Sequence, residues 1–399
     1  MFSILPKNVE FIIERLEKHG YRADIVGGSV RDILLGKTPD DYDITTSAPP
    51  DETKRVFSDL RTVDTGIKHG TVSVILDGKA YEVTTYRVDG EYRDARHPES
   101  VSFTSRIEDD LARRDFTVNA MAYSPEHGIT DPYGGRADLE KRVIRAVGDP
   151  YLRFSEDALR ILRGVRFSAA LGFEIEGKTA AALIEKKSLL KNVSAERIFV
   201  EIKKTFSAPY AFDAISSYSE IVSEVVPTLK KISLPQRELF SAADPLSRFA
   251  SVFYTSCENP TDAFDTACRT LRTDTHFRET GRVILSSIEK YDGKTELSLI
   301  RALRDVGREN TEALLRLRIL LGMDDGDALD RFNSLILSDP VYSVSHLRVN
   351  GGDIMSLGIR GKAVGDTLEM LLTAVIDGKA ENERETLLEF AKNTLLSNR

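Results

Sequence analysis

The chain has 399 residues, of which 41% are hydrophobic and 30% charged, and a formal net charge of -8. That length exceeds one ordinary core and predicts two to four units of a soluble globular protein. Composition argues against a membrane protein, because no apolar run reaches a span, and against indiscriminate nucleic-acid binding, because the balance is acidic, although a local basic groove stays compatible with it.

The first residues, MFSILPKNVEF, lack the form of a signal peptide. The two cysteines, Cys257 and Cys268, make neither a disulfide framework nor a metal motif. A reducing cytoplasm is the expected compartment.

Val9, Ile12, Ile13 and Leu16 have helical spacing, and Gly20 would close that helix. Residues 23–46 read as a strand, a tight Gly27–Gly28 turn, a helix over 29–35 and a second strand carrying Asp41, Tyr42 and Asp43. Two glycines let the backbone turn sharply and approach a ligand. The helix start favours phosphate, and Arg31 adds a charged fork. Two aspartates two apart on a strand would face one side, where they repel unless a cation lies between them. Hard carboxylate oxygens beside phosphates suit Mg²⁺.

Pro49, Pro50 and Asp51 open a short helix, and residues 71–76 and 81–88 alternate as strands joined by an Asp77–Gly78 turn. Glu82 is open to two readings, a third metal ligand or a sheet-edge acid. Residues 89–103 (DGEYRDARHPESVSF) read as a long polar loop, in which Arg93, Asp94, Arg96 and His97 could touch nucleotide or RNA. Arg113 and Arg114 precede Asp115, and paired arginines can neutralise a phosphate tail. Near residues 149–150 the strand signals give way to helical periods that continue almost to the last residue.

Residues 154–171 (FSEDALRILRGVRFSAAL), taken as one helix at about 100° per residue, place Ala158, Leu159, Ile161, Leu162, Val165 and Ala169 on one arc. Glu156, Asp157, Arg160 and Arg163 fall opposite, while Arg166 falls on the apolar side. Asp157 can accept from the exocyclic amine of cytosine or adenine, and Arg160 can donate to the neighbouring ring atom. Alternatively, acid and arginine one turn apart form a surface ion pair. Ser194 is expected to cap a further amphipathic helix.

With these residues in view, the chain resembles class II tRNA nucleotidyltransferases, the CCA-adding enzymes, within the group shared with bacterial poly(A) polymerases. GGSVRD, DDYD, EVTTYR, DGEYRDARHP, DLARRDFTVNAMAY, DPYGGRADL, EDALR and AERI carry the likeness in order, and NGGDIMSLGIRG carries it more loosely in the tail. The resemblance implies an α+β protein, a nucleotidyltransferase head with a small mixed sheet followed by an all-helical neck, body and tail. The expected boundaries are head 1–149, neck 150–206, body 207–321 and tail 322–399. It implies that Asp41 and Asp43 are catalytic and bind Mg²⁺. It places Gly28, Arg31, Arg114 and Asn119 on the nucleotide. Asp157 and Arg160 become the base-reading pair, with Arg163 and Arg166 beside nucleotide or primer; the wheel supports the first three of these four and not Arg166. The substrates implied are tRNA, CTP and ATP, and RNA contact should be mostly to backbone and shape. No His-Asp pair occurs, so the phosphohydrolase domain of some relatives is not expected. An A-adding or CC-adding enzyme, a poly(A) polymerase, and an RNA-binding protein with a degenerate head are the alternatives.

Overall fold

The structure is a computed structural model that describes residues 5–90 and 101–397; the loop residues Arg93, Asp94, Arg96 and His97 lie outside them. The chain divides into two units, Met1–Pro227 and Thr228–Arg399.

The first unit opens with α1 (Lys7–Lys18), whose Val9, Ile12, Ile13 and Leu16 are fully buried, as their spacing predicts. β1 (Ala23–Val26) follows, then α2 (Gly28–Leu34), β2 (Ile44–Thr46), α3 (Pro50–Val56), β3 (Thr62–Gly66), β4 (Thr71–Leu76), β5 (Lys79–Thr85), the ribbon β6 (Arg87–Asp89) and β7 (Val101–Phe103), α4 (Ile107–Ala112), β8 (Ala122–Ser124) and β9 (Gly128–Thr130). Seven strands form one sheet in the order β3-β4-β5-β2-β1-β8-β9. β2 and β5 run parallel, Ile44 opposite Val83, and every other neighbouring pair is antiparallel. The β4–β5 hairpin turns on Asp77 and Gly78, both at positive φ, which matches strand twist.

Central β1 is buried along its whole length, including Asp24. A buried carboxylate needs partners. Arg22 donates to it twice, at 3.0 and 3.1 Å, and the Tyr86 hydroxyl donates at 2.6 Å.

One expected strand is shorter than the alternation suggested. β2 starts at Ile44, so Asp41 and Asp43 lie on the irregular segment leading into it rather than on the strand. Asp41 Oδ1 accepts from the Tyr42 N–H at 2.9 Å, a local bond that competes with the ladder. The Asp43 carbonyl still accepts from the Val26 N–H at 3.0 Å, which ties Asp43 to the end of β1.

After α5 (Gly135–Lys141) and β10 (Val143–Ile144), the unit becomes helical. The expected helix over 154–171 is two helices, α6 (Pro150–Glu156) and α7 (Leu159–Leu171). Asp149 caps α6 through the Tyr151 N–H, with Pro150 at the first helical position. Asp157 then turns extended, with φ -136° and ψ 104°, and its Oδ1 accepts from the Leu159 N–H at 3.0 Å. An aspartate that bonds the backbone two residues on breaks one helix and starts the next. β11 (Glu174–Ile175), α8 (Gly177–Lys186), α9 (Ala195–Ser207), α10 (Ala211–Ser217) and α11 (Ser219–Val225) complete the unit. Ser194 stands at the start of α9 but makes no side-chain cap.

The second unit is helical: α12 (Arg237–Ala242), α13 (Pro245–Ser256), α14 (Pro260–Leu271), α15 (Thr275–Ser287), α16 (Glu296–Val306), α17 (Arg308–Leu320), α18 (Ala328–Leu337), α19 (Gly351–Ser356), α20 (Lys362–Ile376) and α21 (Arg384–Ser397). Phe249, Phe253, Phe264 and Phe277 pack together across α13, α14 and α15. Leu299, Leu303, Leu315 and Phe332 make a second core, and Ile354, Leu371, Leu372 and Leu387 a third. Among the described residues, no helix is long and apolar enough to cross a membrane.

Candidate active site

The Gly27–Gly28 turn fixes one wall of the site. Gly27 has φ +69°, and a Cβ there would lie 2.8 Å from Arg114 Nη1. Only glycine accepts both the dihedral and the neighbour. The turn feeds α2, where Arg31 donates through Nη1 to Asn119 Oδ1 at 2.7 Å and through Nε to Asp32 at 2.9 Å. Asn119 ends the short 3-10 turn Thr117–Asn119 and donates to Asp115 Oδ1 at 3.4 Å. Asp115 Oδ2 in turn accepts from Arg163 Nε at 2.6 Å. Arg31, Asn119, Asp115 and Arg163 thus form one continuous chain. Burial pushes the Asp115 carboxyl up, but Arg163, with smaller help from Arg160 and the Phe116 N–H, outweighs it and holds the group below the usual carboxylate range.

α4 sets the next two arginines. Asp110, with no exposed surface, accepts from Arg113 at 3.0 and 2.7 Å and from Arg114 at 3.2 Å.

The opposite wall comes from α7 and α9. Arg160 is only 8% exposed, and its guanidinium is already occupied: Nη1 donates to the Arg153 carbonyl at 3.2 Å and to Glu156 at 2.8 Å, and Nη2 to the Arg113 carbonyl at 2.8 Å. Asp157 Oδ2 accepts from Arg197 Nη2 at 3.1 Å. Arg166 lies 2.7 Å from Glu201 and sits 4.1 Å over the Phe167 ring. Burial lowers the affinity of Arg166 for its proton, with Glu201 opposing.

These groups line one cleft of about 490 Å³. Gly28, Arg31, Asp43, Arg114, Asn119, Asp157, Arg160, Arg163 and Arg166 are all on its wall, as are Arg113, Asp115, Phe167 and Arg197. Arg166 therefore faces the cleft, against the wheel. The reason is that α7 is buried nearly all round, Arg160 and Phe167 included, so no polar arc marks a solvent side. Seven arginines face three aspartates there. Arg114 Nε and Arg197 Nη1 are buried with no hydrogen-bond acceptor. A concave, cationic wall with buried unpaired N–H groups suits an anionic ligand that brings its own acceptors.

Asp43 lines the cleft and also a smaller adjoining cavity of about 250 Å³ between Thr45, Thr84 and Arg87. Its carboxylate is reached by water from one side and crowded by protein on the others. Burial raises its pKa, the Arg114 charge lowers it, and the neighbouring Asp41 raises it again. Asp41 is exposed beside it and does not line the cleft. Glu82 is exposed, and its carboxylate does not join those of Asp41 and Asp43 within 4.8 Å. Among the described residues, the one group of three such ligands is Glu17, Glu126 and His127.

Sequence reasoning missed Asp110, Phe167 and Arg197, and left Arg113 and Asp115 as a charged triplet without a place. Arg197 lay within the quoted AERI stretch, and Arg113 and Asp115 within ARRDF. No periodicity marks Asp110 or Phe167.

A mixed sheet with a Gly-Gly turn, paired acids at the tip of a strand and an arginine-lined wall defines a nucleotidyltransferase head joined to helices. Three family descriptions match in order: "Poly A polymerase head domain" over residues 23–145, "Probable RNA and SrmB-binding site of polymerase A" over 172–220, and tRNA nucleotidyltransferase domain 2 over 249–391. The CCA-adding enzyme of Lactobacillus delbrueckii subsp. bulgaricus is 36% identical over 386 residues, covering 95% of this chain and 96% of that protein. The crystal structure of the Bacillus stearothermophilus CCA-adding enzyme in complex with CTP superposes with a TM-score of 0.80 at 30% identity, over 99% of each chain. A Thermotoga maritima CCA-adding enzyme complexed with tRNA shares the fold, with a TM-score of 0.69 at 21% identity over 99% of this chain and 97% of that one. The chain belongs to the CCA-adding enzyme family of tRNA nucleotidyltransferases.

Proposed function

We propose that this chain adds C, C and A to the 3′ end of tRNA from CTP and ATP, without a nucleic-acid template. In each step the 3′-hydroxyl oxygen of the tRNA bonds to the α-phosphorus of the nucleotide. The bond from that phosphorus to the bridging oxygen breaks, diphosphate leaves, and the hydroxyl proton passes to solvent. The observation that carries the reading is the single cleft in which Asp43 and Asp157 stand among seven arginines.

Asp41 and Asp43 fit a divalent-cation site. They are hard oxygen donors two residues apart, and each disfavours the other's charge in the absence of a cation. Mg²⁺ held there would acidify the attacking hydroxyl and neutralise charge on the triphosphate. The protein's own groups do the rest by position and charge. Arg31 and Arg114 take the phosphates beside the Gly27–Gly28 turn, and Asn119 holds Arg31 in place. Asp157 accepts from the exocyclic amine of the base, Arg160 forms the guanidinium wall behind it, and Arg163 and Arg166 flank base and primer.

The test is direct. The protein is incubated with Mg²⁺, CTP, ATP and a tRNA lacking its 3′ end, and the products are sequenced. The expected product ends in CCA; ends in CC alone, A alone or long A tracts would each point to a different relative, and unaltered RNA to a binding protein. Asp41→Ala and Asp43→Ala should each abolish addition while tRNA binding persists. Turnover surviving either change would remove the metal assignment.

A further inference from the structure

Cytosine and adenine share one edge pattern, an exocyclic amine beside a ring nitrogen that accepts. Uracil and guanine reverse it, with a carbonyl beside an N–H. A site that takes the first pair and refuses the second needs an acceptor and a donor side by side. If Asp157 is the acceptor, as in the function proposed above on which this inference rests, the donor must be a guanidinium N–H within reach of it that is not already spent.

Arg160 does not meet that condition. Both of its terminal nitrogens have acceptors, the Arg153 carbonyl and Glu156 for one and the Arg113 carbonyl for the other. Arg163 is spent on Asp115, and Arg166 is paired with Glu201. Arg197, carried in from α9, does meet it. Its Nη2 donates to Asp157 Oδ2 at 3.1 Å, and its Nη1 is buried, on the cleft wall, with no acceptor. Because a guanidinium is a rigid planar fork, the pairing of Nη2 with the carboxylate fixes where the Nη1 N–H lies, beside that carboxylate.

We propose that Arg197 is a specificity-determining residue: it holds the Asp157 carboxylate in register and delivers its own Nη1 N–H to the ring nitrogen next to the amine. Arg160 then braces the wall, tying the start of α7 to the Arg113 carbonyl of the head.

The experiment compares kcat/KM for CTP with 3-deaza-CTP, and for ATP with 1-deaza-ATP, on tRNA lacking its 3′ end. The analogues keep the amine and lose the ring acceptor. Wild type should discriminate against them by about 10- to 100-fold, the size of one good base-edge contact. Arg197→Ala should be slower with the natural nucleotides and show no further loss with the analogues, and Arg197→Lys, with one charged donor in place of the fork, should keep an intermediate ratio. A merely structural role would slow natural and deaza substrates alike and leave the ratio at its wild-type value; that result, in either variant, overturns the assignment, as would loss of the discrimination in Arg160→Lys with Arg197→Lys unaffected. Wild-type indifference to the analogues would instead overturn base-edge reading itself, and the role of Arg197 with it.

Discussion

Buried charge in this protein comes as arginine–aspartate pairs, and the second unit holds the most enclosed of them. Arg318 donates to Asp324 through Nε at 2.7 Å and Nη2 at 3.1 Å, its Nη1 donates to the Ile288 carbonyl, and the Gly293 N–H adds a bond to Asp324 at 2.9 Å. The Asp324 side chain has no exposed surface. Burial pushes its carboxyl up, but the hydrogen bonds from Arg318 and Gly293 outweigh it and hold the pKa below its usual value. A carboxylate whose folded pKa is depressed adds stability above its unfolded pKa, and that contribution is lost as pH falls through the folded value. Asp324→Asn should therefore cost about 3–5 kcal/mol at neutral pH, the typical result of stranding a buried arginine. The gap to wild type should narrow below about pH 4, where the wild-type carboxyl begins to protonate. Denaturant unfolding at several pH values measures it, and a gap independent of pH would refute the ionic account. At this scale the sequence named the cleft residues better than it named their partners. Asp43, Asp157 and four of the arginines could be placed because they sit in short motifs. Asp110 and Glu201 could not, since a buried acid that holds a distant arginine leaves no trace in local spacing.

At the scale of elements, the Gly27–Gly28 turn is where backbone and chemistry meet. Gly27→Ala forces an L side chain to φ +69° and sets its Cβ 2.8 Å from Arg114 Nη1. The dihedral alone costs about 1–2 kcal/mol. The larger effect should be on Arg114, whose displacement by about 1 Å can lower kcat/KM for both nucleotides about 10- to 100-fold. Gly20→Ala is the control: it carries φ +85° with nothing within 4 Å, so it should share the strain and spare the rate. Equal activity in the two variants would mean that Arg114 does not need its present place. The strand, turn and helix around Gly27 were legible because turn chemistry is local. The break at Asp157 was not. Residues 154–171 keep a helical period across it, and only the bond from the Leu159 N–H to Asp157 Oδ1, 3.0 Å long, separates the helices. The start of β2 was misplaced for the same reason, since Asp41 binds the neighbouring backbone N–H at 2.9 Å instead of joining the ladder.

At the scale of the molecule, an acidic chain must hold a polyanion. The net charge is -8, yet one cleft gathers seven arginines against three aspartates. Net charge sets long-range attraction, whereas the local potential in a low-dielectric cleft sets where phosphate settles. The division into a sheet-bearing head and a helical remainder was readable from the change in period near residue 150, because periodicity survives in any element long enough to repeat. The concentration of arginine was not readable, since its members come from α2, α4, α7 and α9 and the loops between them. Binding driven by local phosphate neutralisation has a thermodynamic signature that net charge does not supply. Each phosphate paired with a cationic side chain releases condensed counterions, so log K for tRNA should fall linearly with log salt, by about 0.7 to 0.9 per phosphate. Contact with about four phosphates predicts a loss of about a hundredfold between about 50 and 200 mM salt. Arg114→Ala should reduce the salt dependence of CTP binding while leaving that of tRNA largely intact, because the proposed partner of Arg114 is the triphosphate. Filter binding of tRNA and of CTP across a salt series measures both slopes. A flat response for tRNA would mean that shape and uncharged contacts carry the affinity, and that the arginines of the cleft serve the nucleotide alone.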